Sequence, residues 1–223
     1  MLGDGKVADV AEASAHRHVY IVDDDNDVRK SLHFLLASMS ITAWPFATAV
    51  DFIDQLPYLA PAPVLLDLRM PIIDGLQVLA LLKERAVRWP VVVITAHGDV
   101  TVAVRAMKLG AIDFLEKPFA ADSLDQALDH AFGILRETER SLRARDDARR
   151  LMGGLSKRER EIVTMMSEGA PNKLIAYGLG LSTRTVEMHR SNALAKLGVK
   201  SIVEVMALME AADLEIHAAP FNS

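Results

Sequence analysis

The sequence contains no cysteine, which excludes disulfides, thiolate metal centres and cysteine nucleophiles. That absence fits a reducing, cytoplasmic setting. No apolar run approaches the roughly 20 residues needed to cross a bilayer, so no membrane role is expected. The opening stretch MLGDGKVADVAEASAHRH lacks the basic-then-apolar layout of a secretory signal, and residues 1–16 are expected to form a flexible arm. A charge excess of the kind that marks a basic nucleic-acid binder is also missing, since the net charge is −5. The distribution matters more than the sum. Residues 1–134 carry 11 Lys+Arg against 18 Asp+Glu, residues 135–154 carry 6 against 4, and residues 155–201 carry 8 against 4. An acidic front half and a locally basic segment behind it suggest two jobs. With 223 residues and 51% hydrophobic content, the chain has material for two full cores.

The front half alternates short apolar runs with segments of helical period. Strands are expected at His18–Val22, Ile41–Pro45, Val64–Leu66 ending at Asp67, Val91–Thr95 and Asp113–Leu115. Helices are expected at Asp27–Met39, Ala47–Leu56, Gly75–Arg85 and Val100–Leu109, with a long one from Asp122. Five β-α units in succession imply a parallel sheet covered by helices on both faces. Arg136–Arg150 is dense in both charges and free of Gly and Pro, so 136–153 reads as a helical charged linker stopped at Gly153-Gly154. Leu128, Leu135 and Leu142 repeat every seven residues, the spacing of a short coiled-coil seam, although the polar positions between them favour a solvated helix. Behind Gly154 only helices are expected, at Lys157–Glu168, Asn172–Gly178, Thr183–Leu197 and Ser201–Ala212.

Chemistry concentrates at the strand ends. Asp23-Asp24-Asp25 follows the first strand, Asp67 ends the third, Thr95 ends the fourth and Lys117-Pro118 follows the fifth. In an open sheet of order 2-1-3-4-5, ligands sit beyond the carboxyl ends of strands one and three, where the strand order reverses. Carboxylates gathered there repel one another unless a cation joins them, and a hard divalent ion, Mg2+ or Mn2+, suits oxygen donors. Asp67 can then attack phosphorus to give an acyl phosphate. Lys117 supplies a second positive charge and Thr95 a hydroxyl for a phosphoryl oxygen, while Pro118 suits a cis peptide that aims Lys117 inward. Taken singly, Asp25 reads as a helix N-cap, Thr95 as an ordinary strand residue and Lys117 as a solvated charge. Together they read as a site.

The stretches IVDDD, LLDLRMPIIDG, VVVITAHGD and DFLEKPF resemble the motifs of response-regulator receiver domains, over residues 17–135. The resemblance implies a flavodoxin-like (βα)5 α/β fold. It also implies Asp67 as phosphoacceptor, Asp23 and Asp24 as the metal-binding acidic pair, and the backbone carbonyl of Arg69 as a further metal ligand. Thr95 corresponds to the switch hydroxyl, Lys117 to the family's lysine and Phe114 to its rotating aromatic, here without a hydroxyl. On phosphorylation Thr95 would be drawn to the phosphoryl group and Phe114 would turn inward, altering the face of Val100–Leu109 and Asp113–Leu115.

The segment NKLIAYGLGLSTRTVEMHRSNALAKLG has the logic of a helix-turn-helix. Asn172 is expected to cap a first helix with Leu174, Ile175 and Leu179 inward, Gly178 and Gly180 to mark the turn, and Ser182 or Thr183 to cap the second helix. Val186, Leu194 and Leu197 face the core, with His189 or Ala193 alongside. The wider pattern from LSKREREIV to KLGVKS is similar to the LuxR-type domain of the NarL/FixJ family, FixJ-like branch, over 154–212, an all-α four-helix unit followed by a tail at 213–223. The resemblance makes Glu187, Met188 and Ser191 groove-facing, and Lys173, Thr183, Arg184, Thr185, Arg190 and Lys196 candidates for phosphate contacts. It implies a phosphorylation-controlled transcriptional regulator, not an enzyme. Its partners would be a sensor histidine kinase, duplex promoter DNA, RNA polymerase and, once phosphorylated, a second copy of itself. Asp23 and Asp25 also mimic the D-x-D loop of haloacid-dehalogenase phosphohydrolases. That reading expects Thr or Val at position 27, where Asp27 stands, and leaves LLDLRMP and the helical half unused. A third reading keeps the receiver and makes the helical half a protein- or RNA-binding module.

Overall fold

The computed structural model describes residues 17–96 and 100–212, so the expected arm at 1–16 and tail at 213–223 lie outside the described residues. The chain divides into two compact units between Glu137 and Thr138.

The first unit holds a five-stranded sheet of β1 (His18–Val22), β2 (Thr42–Phe46), β3 (Val64–Asp67), β4 (Val91–Thr95) and β5 (Asp113–Glu116), in the order β2-β1-β3-β4-β5. Every pairing is parallel. A parallel strand is covered on both faces, which is why VLLD and VVVIT are buried throughout instead of alternating. Edge strand β2 is more exposed, with Ala43 buried in one core and Phe46 in the other, and Pro45 is tolerated there because an edge needs fewer ladder donors. Around the sheet run α1 (Asn26–Ser38), α2 (Ala49–Gln55), α3 (Gly75–Glu84), α4 (Val100–Leu109) and the start of α5 (Ala121–Gly153). One sheet face packs Val19, Ile21, Leu65 and Ile94 against Leu36 of α1 and Leu124 and Leu128 of α5. The other packs Tyr20, Val22, Leu66 and Val93 against Phe52, Val78, Leu79 and Ala106 of α2, α3 and α4. Neighbours in sequence thus serve opposite cores, as the two-residue period of a strand requires. The helix expected over Ala47–Leu56 is shorter, because Thr48 caps it and a 3-10 turn at Leu56–Tyr58, with Pro57 inside, ends it.

The second unit holds the rest of α5 with α6 (Lys157–Ser167), α7 (Asn172–Leu179), α8 (Thr183–Leu197) and α9 (Ile202–Ala211). Ser156 and Glu159 form a capping box at the start of α6. Ala148 and Met152 are buried, and Met152 packs with Leu155, Val163, Leu197 and Met209. The last turns of the stretch read as a charged linker therefore belong to this unit's core. The heptad leucines do not share a role, since Leu128 is fully buried in the first unit while Leu142 is 54% exposed. Three details of the helix-turn-helix expectation are corrected. Pro171, not Asn172, occupies the N-cap of α7, because proline's fixed φ suits a helix start and its missing N–H is no loss there. Gly178 lies inside α7, and Gly180 alone takes the left-handed φ of 65° that turns the chain. Leu174 points outward, 48% exposed, while Ile175 and Ala176 are buried. Among the described residues no helix is long and apolar enough to cross a membrane.

Candidate functional site

Strands β1 and β3 pair up to Val22 and Leu66, so the next residue on each, Asp23 and Asp67, emerges side by side at the carboxyl edge of the sheet. Both are buried, at 2% and 7% exposure. Lys117 reaches across from the end of β5, its backbone N–H donating to the carbonyl of Thr95 at 2.8 Å. Its Nζ donates to Asp23 Oδ2 at 2.6 Å and to Asp67 Oδ1 at 3.0 Å. The remaining oxygens are held by the backbone. Asp67 Oδ2 accepts from the N–H of Arg69 at 2.6 Å, and Asp23 Oδ1 from that of Asp25 at 2.9 Å. The Lys117-Pro118 peptide is cis. Thr95 is buried at the end of β4, and Phe114 is half-buried against the core formed by α2, α3 and α4.

Two carboxylates facing one ammonium leave this pocket with a net negative charge. Burial pushes the Asp67 carboxyl above its ordinary value, with the Asp23 charge adding to the effect, against the lowering by Lys117 and the Arg69 N–H. Burial would depress Lys117, but its hydrogen bonds and charge contacts to Asp23 and Asp67 outweigh that and hold it raised. Asp24 is exposed, outside this set of contacts. Asp25 is the N-cap of α1, its Oδ1 accepting from Asp27 and Val28, and those backbone bonds hold its carboxyl low. Arg29, which the sequence reading passed over, donates to the Asp23 carbonyl at 2.7 Å. An arginine in the first turn of a helix that follows an acidic strand end is the signal that marks it.

The second unit presents a different surface. In α8, Val186, Ala193 and Leu197 are buried, leaving Thr183, Arg184, Glu187, Met188 and Ser191 exposed, with Thr185, His189 and Arg190 between. Asn192 shares the outer face. It was missed although it lies four residues after Met188, the spacing that puts side chains on one face. Ser182 caps the helix by accepting from the Thr185 N–H at 3.1 Å, and its Oγ lies 2.7 Å from Thr185 Oγ1. Lys173, Thr183, Glu187 and Arg190 line a cleft of about 630 Å³. Lys196 is half-exposed and paired within the unit, its Nζ 2.7 Å from Oε2 of the buried Glu159. That bond, with the Ser156 N–H, lowers the Glu159 carboxyl to about 2.

Residues 19–129 match the family model described as response regulator receiver domain. Residues 154–209 match that of bacterial regulatory proteins, luxR family. The transcriptional regulatory protein FixJ of Azorhizobium caulinodans is 41% identical over 85% of this chain and 90% of its own length. The chain belongs to the FixJ-like response regulators. FixJ of Rhizobium meliloti is 40% identical over 85% of this chain and 93% of its own. Among solved structures, response regulator StyR is similar with a TM-score of 0.77 at 35% identity, covering 88% of this chain and 99% of that one. Full-length FixJ from B. japonicum gives 0.56 at 38%, covering 89% and 98%.

As a FixJ-like response regulator, the chain is a phosphorylation-controlled transcription regulator with a receiver and a LuxR-type DNA-binding domain, phosphorylated by a histidine kinase, and it is not an enzyme. Receiver domains generally hold Mg2+ at the phosphorylation site. Among the described residues no three His, Cys, Asp or Glu side chains gather as a metal group. Two adjacent buried carboxylates still fit, because Mg2+ is usually held through one or two carboxylates together with phosphate oxygens and water.

Proposed function

We propose that Asp67 is the phosphoacceptor and that the receiver pocket works as an assembled phosphoryl-transfer site. The observation that carries this reading is Lys117 Nζ, which joins two buried acids from separate strands. A lysine in that place neutralises charge on either a carboxylate or an incoming phosphoryl oxygen. The Asp67 oxygen that faces Lys117 forms the O–P bond while the bond to the donor's leaving group breaks. The Thr95 hydroxyl takes a phosphoryl oxygen, and Phe114 moves into the space it leaves. Asp23, Asp24, Asp67 and the Arg69 carbonyl would hold Mg2+ (or Mn2+), which supplies positive charge to the phosphoryl oxygens when bound.

The output follows from two surfaces. Helix α4 exposes Val100 at 75%, Val104 at 46% and Met107 at 48%, an apolar stripe suited to a second copy of the phosphorylated receiver. On α8, Glu187, Met188 and Ser191 read bases in the major groove, while Lys173, Thr183, Arg184, Thr185 and Arg190 contact phosphates. The setting is the cytoplasm, and the further partners are a cognate sensor histidine kinase, promoter DNA and RNA polymerase. Asp67→Asn tests the reading: incubated with radiolabelled acetyl phosphate and Mg2+, the variant should take up no label while the wild type does. Label retained by the variant would place the acceptor elsewhere.

A further inference from the structure

The loop between β3 and α3 carries a residue whose chemistry makes no sense for the isolated receiver. Its ends are pinned: the Gly75 N–H donates to the Leu68 carbonyl at 3.0 Å, and the Ile73 N–H to the Pro71 carbonyl at 2.8 Å. Gly75 itself has no room for a side chain, because a Cβ there would lie 2.4 Å from the Asp67 carbonyl oxygen. The loop therefore closes directly on the acceptor strand. Met70 is buried and Ile73 packs on the core. Ile72, between them in the turn, has φ of 70° and is 87% exposed.

A β-branched residue at positive φ is a genuine outlier, since its Cβ crowds the following carbonyl. Glycine or asparagine would adopt this turn with little strain. Full exposure of an isoleucine gains nothing in water either. Backbone and solvation both count against Ile72. Strain of this kind points outward, to a use met only in a complex.

We propose that Ile72 is an apolar anchor for the protein that delivers the phosphoryl group, a phosphohistidine-bearing domain. The proposal rests on the reading of Asp67 as acceptor. Asp67 is only 7% exposed, and the loop carrying Ile72 starts at the next residue, Leu68. A protein donor that reaches the carboxylate has to cover this rim, whereas a small phosphodonor does not. In the transfer, an Asp67 oxygen bonds to phosphorus as the N–P bond of the phosphohistidine breaks, and the electron pair returns to the imidazole nitrogen. No oxidant or reductant is involved. Ile72 takes no part in those bonds. It adds apolar contact area that holds the donor over the pocket in one register.

The experiment uses the full chain and two donors. One is acetyl phosphate; the other is the autophosphorylated sensor kinase that labels the wild type fastest among a panel of purified kinases. Ile72→Asn suits the left-handed backbone and removes the apolar surface, and Ile72→Leu keeps an apolar side chain. With the kinase, Ile72→Asn should lower kcat/KM tenfold or more, mainly through KM, which matches loss of one buried aliphatic contact. Ile72→Leu should recover most of the rate. With acetyl phosphate, both variants should match the wild type within twofold, and the melting temperature of Ile72→Asn should be unchanged or higher. An unchanged kinase rate for Ile72→Asn overturns the proposal, and so does an equal loss with both donors, which would mean a disturbed pocket. If the wild type takes no label from either donor, the reading of Asp67 itself fails.

Discussion

Asp67 is held in a place that suits phosphoryl transfer and costs stability. Its carboxyl is raised in the folded chain, chiefly by burial, so the folded state binds that proton more tightly than the unfolded state does. The contribution is therefore unfavourable above the raised pKa and disappears below the unfolded value near 3.8. Asp67→Asn should raise the thermal stability of the receiver at neutral pH, and the gain should shrink as the pH falls through the raised pKa towards 3.8. Calorimetry of wild type and variant from pH 3 to 7 checks it; a destabilised variant at pH 7 counts against it. Glu159 behaves oppositely. Its carboxyl is lowered to about 2 by Lys196 and Ser156, so it stabilises the second unit above its usual value of 4.5, and that stabilisation is lost as the pH falls from 4.5 towards 2. Glu159→Gln should flatten this acid limb in the same experiment. That Asp23, Asp67 and Lys117 meet was legible in the sequence because strand ends announce themselves. Arg29 was not singled out because its bond goes to a backbone carbonyl, which no side-chain motif announces, and Asn192 because it carries no charge.

At the scale of elements, α8 shows what local sequence can and cannot say. Its bounds, Thr183–Leu197, are as expected, because Ser182 caps one end and left-handed Gly198 closes the other. What local sequence could not supply is the partner of Lys196, which lies 37 positions away on α6. Periodicity alone places Lys196 near the outer face; only the packing of two helices shows that its charge is committed. The seven-residue leucine spacing misleads for the same reason, since burial of Leu128 is set by the sheet beneath it. Salt dependence separates the roles. A lysine or arginine that neutralises one phosphate contributes about 0.9 to the slope of log affinity against log salt. Arg184→Ala should lower that slope by about 0.9 for every duplex tested. Lys196→Met should leave the slope unchanged while weakening binding, and Glu159→Gln should do the same, because both loosen the end of α8. Fluorescence anisotropy from 50 to 300 mM salt distinguishes these outcomes, and a reduced slope for Lys196→Met would return it to the phosphate-contacting set.

For the whole molecule, the two units were legible as separate from charge and periodicity, since the net-acidic first 134 residues and the basic stretch behind them belong to different folds. Sheet order was legible too, because five β-α repeats admit few right-handed topologies. The expected receiver end at 135 and the division between Glu137 and Thr138 both fall within the continuous helix α5, so no break in secondary structure marks the point. Coupling between the units is then a question of copy number. One helix-turn-helix offers a single half-site with few phosphate contacts, whereas two joined copies bind with the second event made intramolecular. If the stripe Val100, Val104 and Met107 joins phosphorylated receivers, placing a charge in it should break the relay after phosphorylation and before DNA. Val104 is 46% exposed, so Val104→Asp can be accommodated without an unpaired buried charge. The variant should take up phosphate from acetyl phosphate at the wild-type rate, sediment as a monomer where the phosphorylated wild type sediments as a dimer, and lose at least about tenfold in operator affinity. A phosphorylated Val104→Asp that still dimerises moves the interface off α4, and one that stays monomeric yet binds its operator as tightly as the wild type removes dimerisation from the mechanism.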